Sequence, residues 1–274
     1  MKKFDMKNFI FDALSGTQIF ENLFDTVHDI LRTTTEDFAI ASKIYGVLLP
    51  LGYTLVLFYF LLELLEKTTH EQFNLEVFIK MFIKLMFAEV FMDYGPELIG
   101  GFLSIGNWFL VTIKGISLDN FTNPIGVDEL DRLKTAVNKM GIISQIAALG
   151  PALIIWILSK ICMVVMKVQC WTIKLELALR VALSPIALAD MFSEISRSAG
   201  IKYIKKILGT ALQAGAVCAI YKIGAAYSIM EANTYVTSEG YIQFDGFIDM
   251  FIIAFCLIGA TAISKQLIND ALGN

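Results

Sequence analysis

The sequence predicts an all-α fold: a polytopic transmembrane helical bundle of about six spans, with a re-entrant segment and an N-terminal amphipathic helix. Three observations carry this. Of 274 residues, 56% are hydrophobic, and mean hydropathy is +0.65, where a soluble domain is ~45–50% apolar. The apolar residues form long runs rather than periodic stripes. Ile44–Leu62 and Gly141–Ser159 are each 19 residues without a charge, which at ~1.5 Å per residue nearly crosses a ~30 Å hydrocarbon core. Charged residues still make up 18% of the chain, so substantial segments lie outside lipid.

Composition excludes several function classes. A net charge of −4 and the lack of a compact Lys/Arg run give no basic field for nucleic acid. No Walker loop, GxSxG, HExxH or dinucleotide fingerprint occurs. Cys162, Cys170, Cys218 and Cys256 lie in apolar segments without a CxxC partner and read as small packing residues. His28 and His70 are isolated, so no metal site or cofactor is expected. Met1-Lys2-Lys3 starts like a signal peptide, but Asp5, Lys7 and Asp12 interrupt any apolar stretch after it.

Residues 1–35 form the N-terminal amphipathic division. Phe20, Leu23, Phe24, Val27, Ile30 and Leu31 recur at helical spacing, with Glu21, Asp25, Asp29 and Arg32 largely opposite. The polar face is mostly acidic, which favours packing on protein over binding anionic lipid. Thr33-Thr34-Thr35 breaks the pattern and caps the next helix. Residues 36–93 form a helical pair. Its first span, 44–62, contains Pro50 and Gly52, and Tyr45, Tyr53 and Tyr59 need polar partners or an interface. The second, 77–93, carries Lys80, Lys84, Glu89 and Asp93. Residues 94–140 hold a glycine-rich apolar segment, 98–113, read as re-entrant, then a polar loop with a turn at Asn123-Pro124 and a short helix at 127–138. Residues 141–274 are the core bundle. Its spans are 141–159, 168–190, 207–230 and 250–264, with a boundary at Lys160 and Lys167.

Loop charge then sets orientation. With both termini cytoplasmic, 14 of the 22 Lys/Arg lie in cytoplasmic segments and three (Lys67, Lys160 and Lys167) outside. This assignment puts 63–76 and 231–249 outside and 190–206 inside.

Charged side chains in apolar helices are the candidate functional residues: Lys80, Lys84, Glu89, Asp93, Lys174, Glu176, Arg180 and Lys222. A charge near the bilayer centre costs ~2.5–3.5 kcal/mol on insertion scales, so each needs a partner, water or a route to the interface. Glu176 and Arg180 sit one turn apart, acid before base. They either neutralise each other for insertion or line a polar lumen. Lys222 snorkels outward or faces Glu89 or Glu176. Ala211, Gly215 and Ala219 form a small-residue ladder that permits close helix approach. A secondary transporter would assemble Lys80, Glu89, Glu176 and Arg180 into a solute site. A membrane enzyme would use Asp93, Glu176 or Asp190.

The segment from Arg180 onward is the most distinctive. A helix breaks at Ser184-Pro185-Ile186-Ala187 and runs on to Asp190. The chain turns near Gly200, then continues as Gly200-Ile201-Lys202-Tyr203-Ile204-Lys205-Lys206 and Leu212-Gln213. Residues 165–225 resemble the core of TrbL-like, VirB-type polytopic proteins of type IV secretion and conjugation machines, especially those of Gram-positive conjugative elements. The resemblance implies a non-enzymatic, multi-pass plasma-membrane channel subunit. Its implied partners are the secretion ATPase, bitopic membrane proteins, membrane lipid, further copies of itself and, transiently, translocated DNA or a relaxase complex. The central loop, 94–140, is shorter than in some relatives.

Overall fold

The computed structural model describes residues 5–14, 25–32, 37–69, 74–116, 125–193, 197–231 and 245–272. The Thr33–Thr35 cap, the turn at Asn123-Pro124, His70 and most of the 231–249 loop lie outside the described residues. Those described are overwhelmingly helical and include no strand. In chain order the helices are α1 (Met6–Leu14), α2 (Ala39–Thr69), α3 (Leu75–Asp93), α4 (Gly95–Lys114), α5 (Ile125–Lys139), α6 (Ile142–Ala182), α7 (Ser184–Met191), α8 (Arg197–Glu231) and α9 (Asp245–Ala271). Residues 25–31 are also helical. By length and composition, four described helices can cross a membrane: Ala39–Thr69, Gly95–Lys114, Ile142–Ala182 and Arg197–Gly224. The chain is an all-α integral membrane protein.

Two compact units share these elements. The first comprises Met1–Leu31, Leu110–Trp171 and Gly215–Ser264. Here α1 covers α5: Ile10 and Ala13 bury against Leu133, Val137, Ala148 and Ala152, and Lys7 Nζ donates to the Asn138 carbonyl at 2.8 Å. Of the residues that carried the amphipathic reading, Val27 and Leu31 are buried, while Phe20, Leu23 and Phe24 lie outside the described residues. In the same unit Gly224 lies against Leu257, and Thr261 Oγ1 reaches Tyr221 Oη at 3.4 Å.

The second unit comprises Arg32–Phe109, Thr172–Ala214 and Lys265–Asn274. Its core joins Phe38, Tyr45 and Val56 of the α2 region to Ala88 and Met92 of α3, Leu177 and Val181 of α6, Leu188 of α7, and Ile207 and Ala211 of α8. Asn74 caps α3, its side chain accepting from the Val77 amide at 2.8 Å with Glu76 in the first turn. α2 and α3 form an antiparallel pair, with Tyr45 Oη donating to the Met92 carbonyl at 2.6 Å and Lys84 Nζ meeting Glu63 at 2.8 Å. α7 crosses this pair at Gly52. A Cβ there would collide with the end of the Met92 side chain and lie 3.0 Å from the Pro185 carbonyl oxygen, so glycine lets the α2 and α7 backbones approach closely with Met92 packed beside them.

Three expectations change. The segment 98–113 is part of one unbroken 20-residue helix, α4, rather than a broken re-entrant turn. The boundary at Lys160 and Lys167 does not form, because α6 runs as one helix of 41 residues. No glycine or proline lies between Pro151 and Pro185 to stop it. The segments expected as separate spans at 141–159 and 168–190 are instead joined in one continuous helix as far as Ala182. Within their unit the last turns of α2 meet the end of α7. Tyr59 near the end of α2 bonds Asp190 at the end of α7 at 2.7 Å, and Lys80, Lys84 and Arg197 line one cleft.

Candidate functional site: paired charges of the second unit

α6 ends one residue short of Ser184. The Leu183 amide still bonds the Leu179 carbonyl at 3.0 Å, while Ser184 Oγ donates to the Val181 carbonyl at 2.6 Å. Pro185 lacks an N–H and takes the second position of α7, where that loss costs nothing. The break leaves the last turns of α6 facing the core, with Lys174, Glu176 and Arg180 beside it.

Glu176 is the hub. Arg180 Nη2 approaches its Oε1 at 2.6 Å and Nε at 3.2 Å, and Lys265 Nζ of α9 bonds Oε1 at 2.7 Å and Oε2 at 2.9 Å. Glu176 is 24% exposed, Arg180 19% and Lys265 46%. One carboxylate thus holds two cations at the edge of the bundle. The Arg180 carbonyl accepts from Tyr203 Oη at 3.0 Å, which ties α8 to the same turn.

The other charges are also satisfied, each by a different route. Lys174 pairs with Asp37 at 2.9 Å and Lys84 with Glu63 at 2.8 Å. Lys80 pairs one turn back with Glu76 at 2.5 Å, both well exposed. Asp93 accepts from Tyr53 Oη, and Asp190 from Tyr59 Oη at 2.7 Å. Glu89 is exposed, and Lys222 is half-buried in the first unit. Sequence reasoning found Glu176–Arg180 and the need of the three tyrosines for partners. It missed Asp37, Glu63 and Lys265, which are brought to their partners only by tertiary packing.

The packing residues fall where close approach is required. A Cβ on Gly106 of α4 would lie 2.7 Å from the Ala211 carbonyl oxygen, so Ala211 marks a close α4–α8 contact. Gly215 is buried and Ala219 half-buried further along α8. At Gly200 a Cβ would lie 2.7 Å from the Ala187 carbonyl oxygen and the Met191 amide nitrogen, so the start of α8 rests directly on α7.

The family described as TrbL/VirB6 plasmid conjugal transfer like protein matches residues 34–185, more than half of the chain. The chain belongs to the TrbL/VirB6 family. The matched region of this TrbL/VirB6 protein runs from just before α2 to the Ser184-Pro185 break. It contains every charged candidate of α3 and α6, and it ends before the Gly200–Lys206 run. Members are structural membrane components of conjugal transfer systems that work with other type IV secretion subunits. Searches of curated proteins and of solved structures returned no match.

Proposed function

We propose that this chain is a channel or scaffold subunit of a conjugative type IV secretion system, on the path of the translocated DNA or protein. The observation that carries the reading is how the charges within apolar helices are used. Lys84, Lys174, Glu176 and Arg180 are taken up in ion pairs that join or brace helices. A solute carrier needs convergent polar groups around a pocket. Lys80 and Glu176 are instead engaged with Glu76 and with Arg180 and Lys265. A bundle stabilised in this way suits a membrane scaffold that presents surfaces to other subunits, including the secretion ATPase and bitopic membrane proteins. Large apolar side chains such as Val47, Leu61, Ile143 and Leu179 are exposed, and copies of the same chain as well as lipid suit such a surface.

Deleting the protein should abolish DNA transfer between cells while DNA nicking and secretion ATP hydrolysis continue. Conjugation at the normal frequency in the deletion strain, with a change in small-solute uptake, would refute the reading.

A further inference from the structure

Outside the charge pairs, the second unit contains a cleft of about 440 Å³ between α3, the end of α7 and the start of α8. Its rim carries Lys80, Lys84 and Arg197, and its wall is built from Phe87, Phe91 and Phe192. Phe91 and Phe192 meet edge to face at 5.7 Å and close the floor. Phe87 is 58% exposed, so the apolar wall continues onto the outer face of α3. The lining thus combines three cations with apolar side chains, and along α3 the lysines at 80 and 84 give way to the phenylalanines at 87 and 91.

The rim charges are not equally committed. Lys84 is held by the largely buried Glu63. Lys80 shares only an exposed pair with Glu76, an interaction worth little in water. Among the described residues no carboxylate lies within ion-pair distance of Arg197. Arg197 is the first described residue of α8 and its side chain is exposed.

We propose that this cleft is a binding site for an anionic phospholipid. Its phosphate would lie between Arg197, Lys80 and the start of α8, and an acyl chain would run over Phe87 and along α3. The shared chemistry is a phosphate anion, which a soluble phosphate or a nucleic acid backbone also carries. The observations favour lipid, because the wall consists of apolar side chains on helices of a membrane protein. Basic pockets between membrane helices recognise headgroups in this way.

The test is native mass spectrometry of the purified full-length protein, offered phosphatidylglycerol or phosphatidylcholine in mixed micelles. The wild type should retain phosphatidylglycerol in preference. Arg197→Gln combined with Lys80→Gln should lower retention by about fivefold or more, on the scale of one basic residue's contribution at a membrane surface. Ser198→Glu, which keeps both cations but places a negative charge at the start of α8, should do the same. Lys202→Gln, one charge removed from the same helix away from the cleft, should retain lipid like the wild type. Equal retention of the two lipids would overturn the proposal, as would undiminished binding by both the double variant and Ser198→Glu, or an equal loss in Lys202→Gln. Displacement of the lipid by millimolar inorganic phosphate would make this a bare anion site, and displacement by a single-stranded oligonucleotide would make it a nucleic acid groove. Either result replaces the proposal.

Discussion

Glu176 faces two cations, and the asymmetry between them makes its mutants distinguishable. Glu176→Gln leaves Arg180 and Lys265 beside each other without an anion. Arg180→Leu leaves Glu176 still neutralised by Lys265. The first variant should therefore lower folded protein more than the second, by about 1–3 kcal/mol, between the values of exposed and closed pairs. Measuring both by fluorescence-detected size exclusion would check the order, and an equal loss would show that Lys265 contributes nothing. Adding Arg180→Leu to Glu176→Gln should restore part of the yield, because one cation alone can snorkel toward the interface. Glu176–Arg180 was legible in sequence because one helical turn separates the two residues. Lys265 is 89 residues away, and Asp37 and Glu63 are equally non-local to their lysines. No local spacing rule connects such partners.

At the scale of elements, α6 separates a pattern of charges from a pattern of turns. Lys160 and Lys167 looked like the ends of two spans, yet lysines near the middle of a rod can extend their stems along it. A break needs glycine, proline or a capping group, and none lies there. Spin labels at Ile146→Cys and Val168→Cys, both exposed, in a background without the native cysteines, should be about 33 Å apart along a continuous helix. A separation below about 20 Å, as in a hairpin, would contradict one rod of ~1.5 Å rise per residue. The glycines of α4 misled in the opposite way. Gly106 serves contact with α8 rather than a turn, and a lone sequence shows glycine without showing which use it has. Gly52 offers a direct test of packing. Gly52→Val should cost about 1–3 kcal/mol or more through forced displacement of α7. Gly46→Val on the same helix, with nothing within 4 Å of its Cβ, should be nearly neutral. Equal thermal stability of the two would remove the three-helix crossing.

For the whole molecule, fold class and membrane location were legible from run length and composition alone, since lipid imposes both. Orientation was not, because counting loop charges requires the correct number of crossings. The structure brings the end of α2 to the end of α7, where Tyr59 bonds Asp190. Glu66→Cys and Ser198→Cys should therefore react with a membrane-impermeant maleimide from the same side of the membrane. Labelling from opposite sides would contradict the second unit as described. The length of α6 has a further consequence for assembly. Exposed apolar side chains run along it from Ile143 to Leu179, a stretch of ~54 Å at the α-helical rise. A hydrocarbon slab ~30 Å thick covers only ~39 Å of a helix even at the ~40° upper limit of observed tilts. About ten residues' worth of greasy surface extends beyond a hydrocarbon slab of that thickness. A surface of that extent suits burial against other protein.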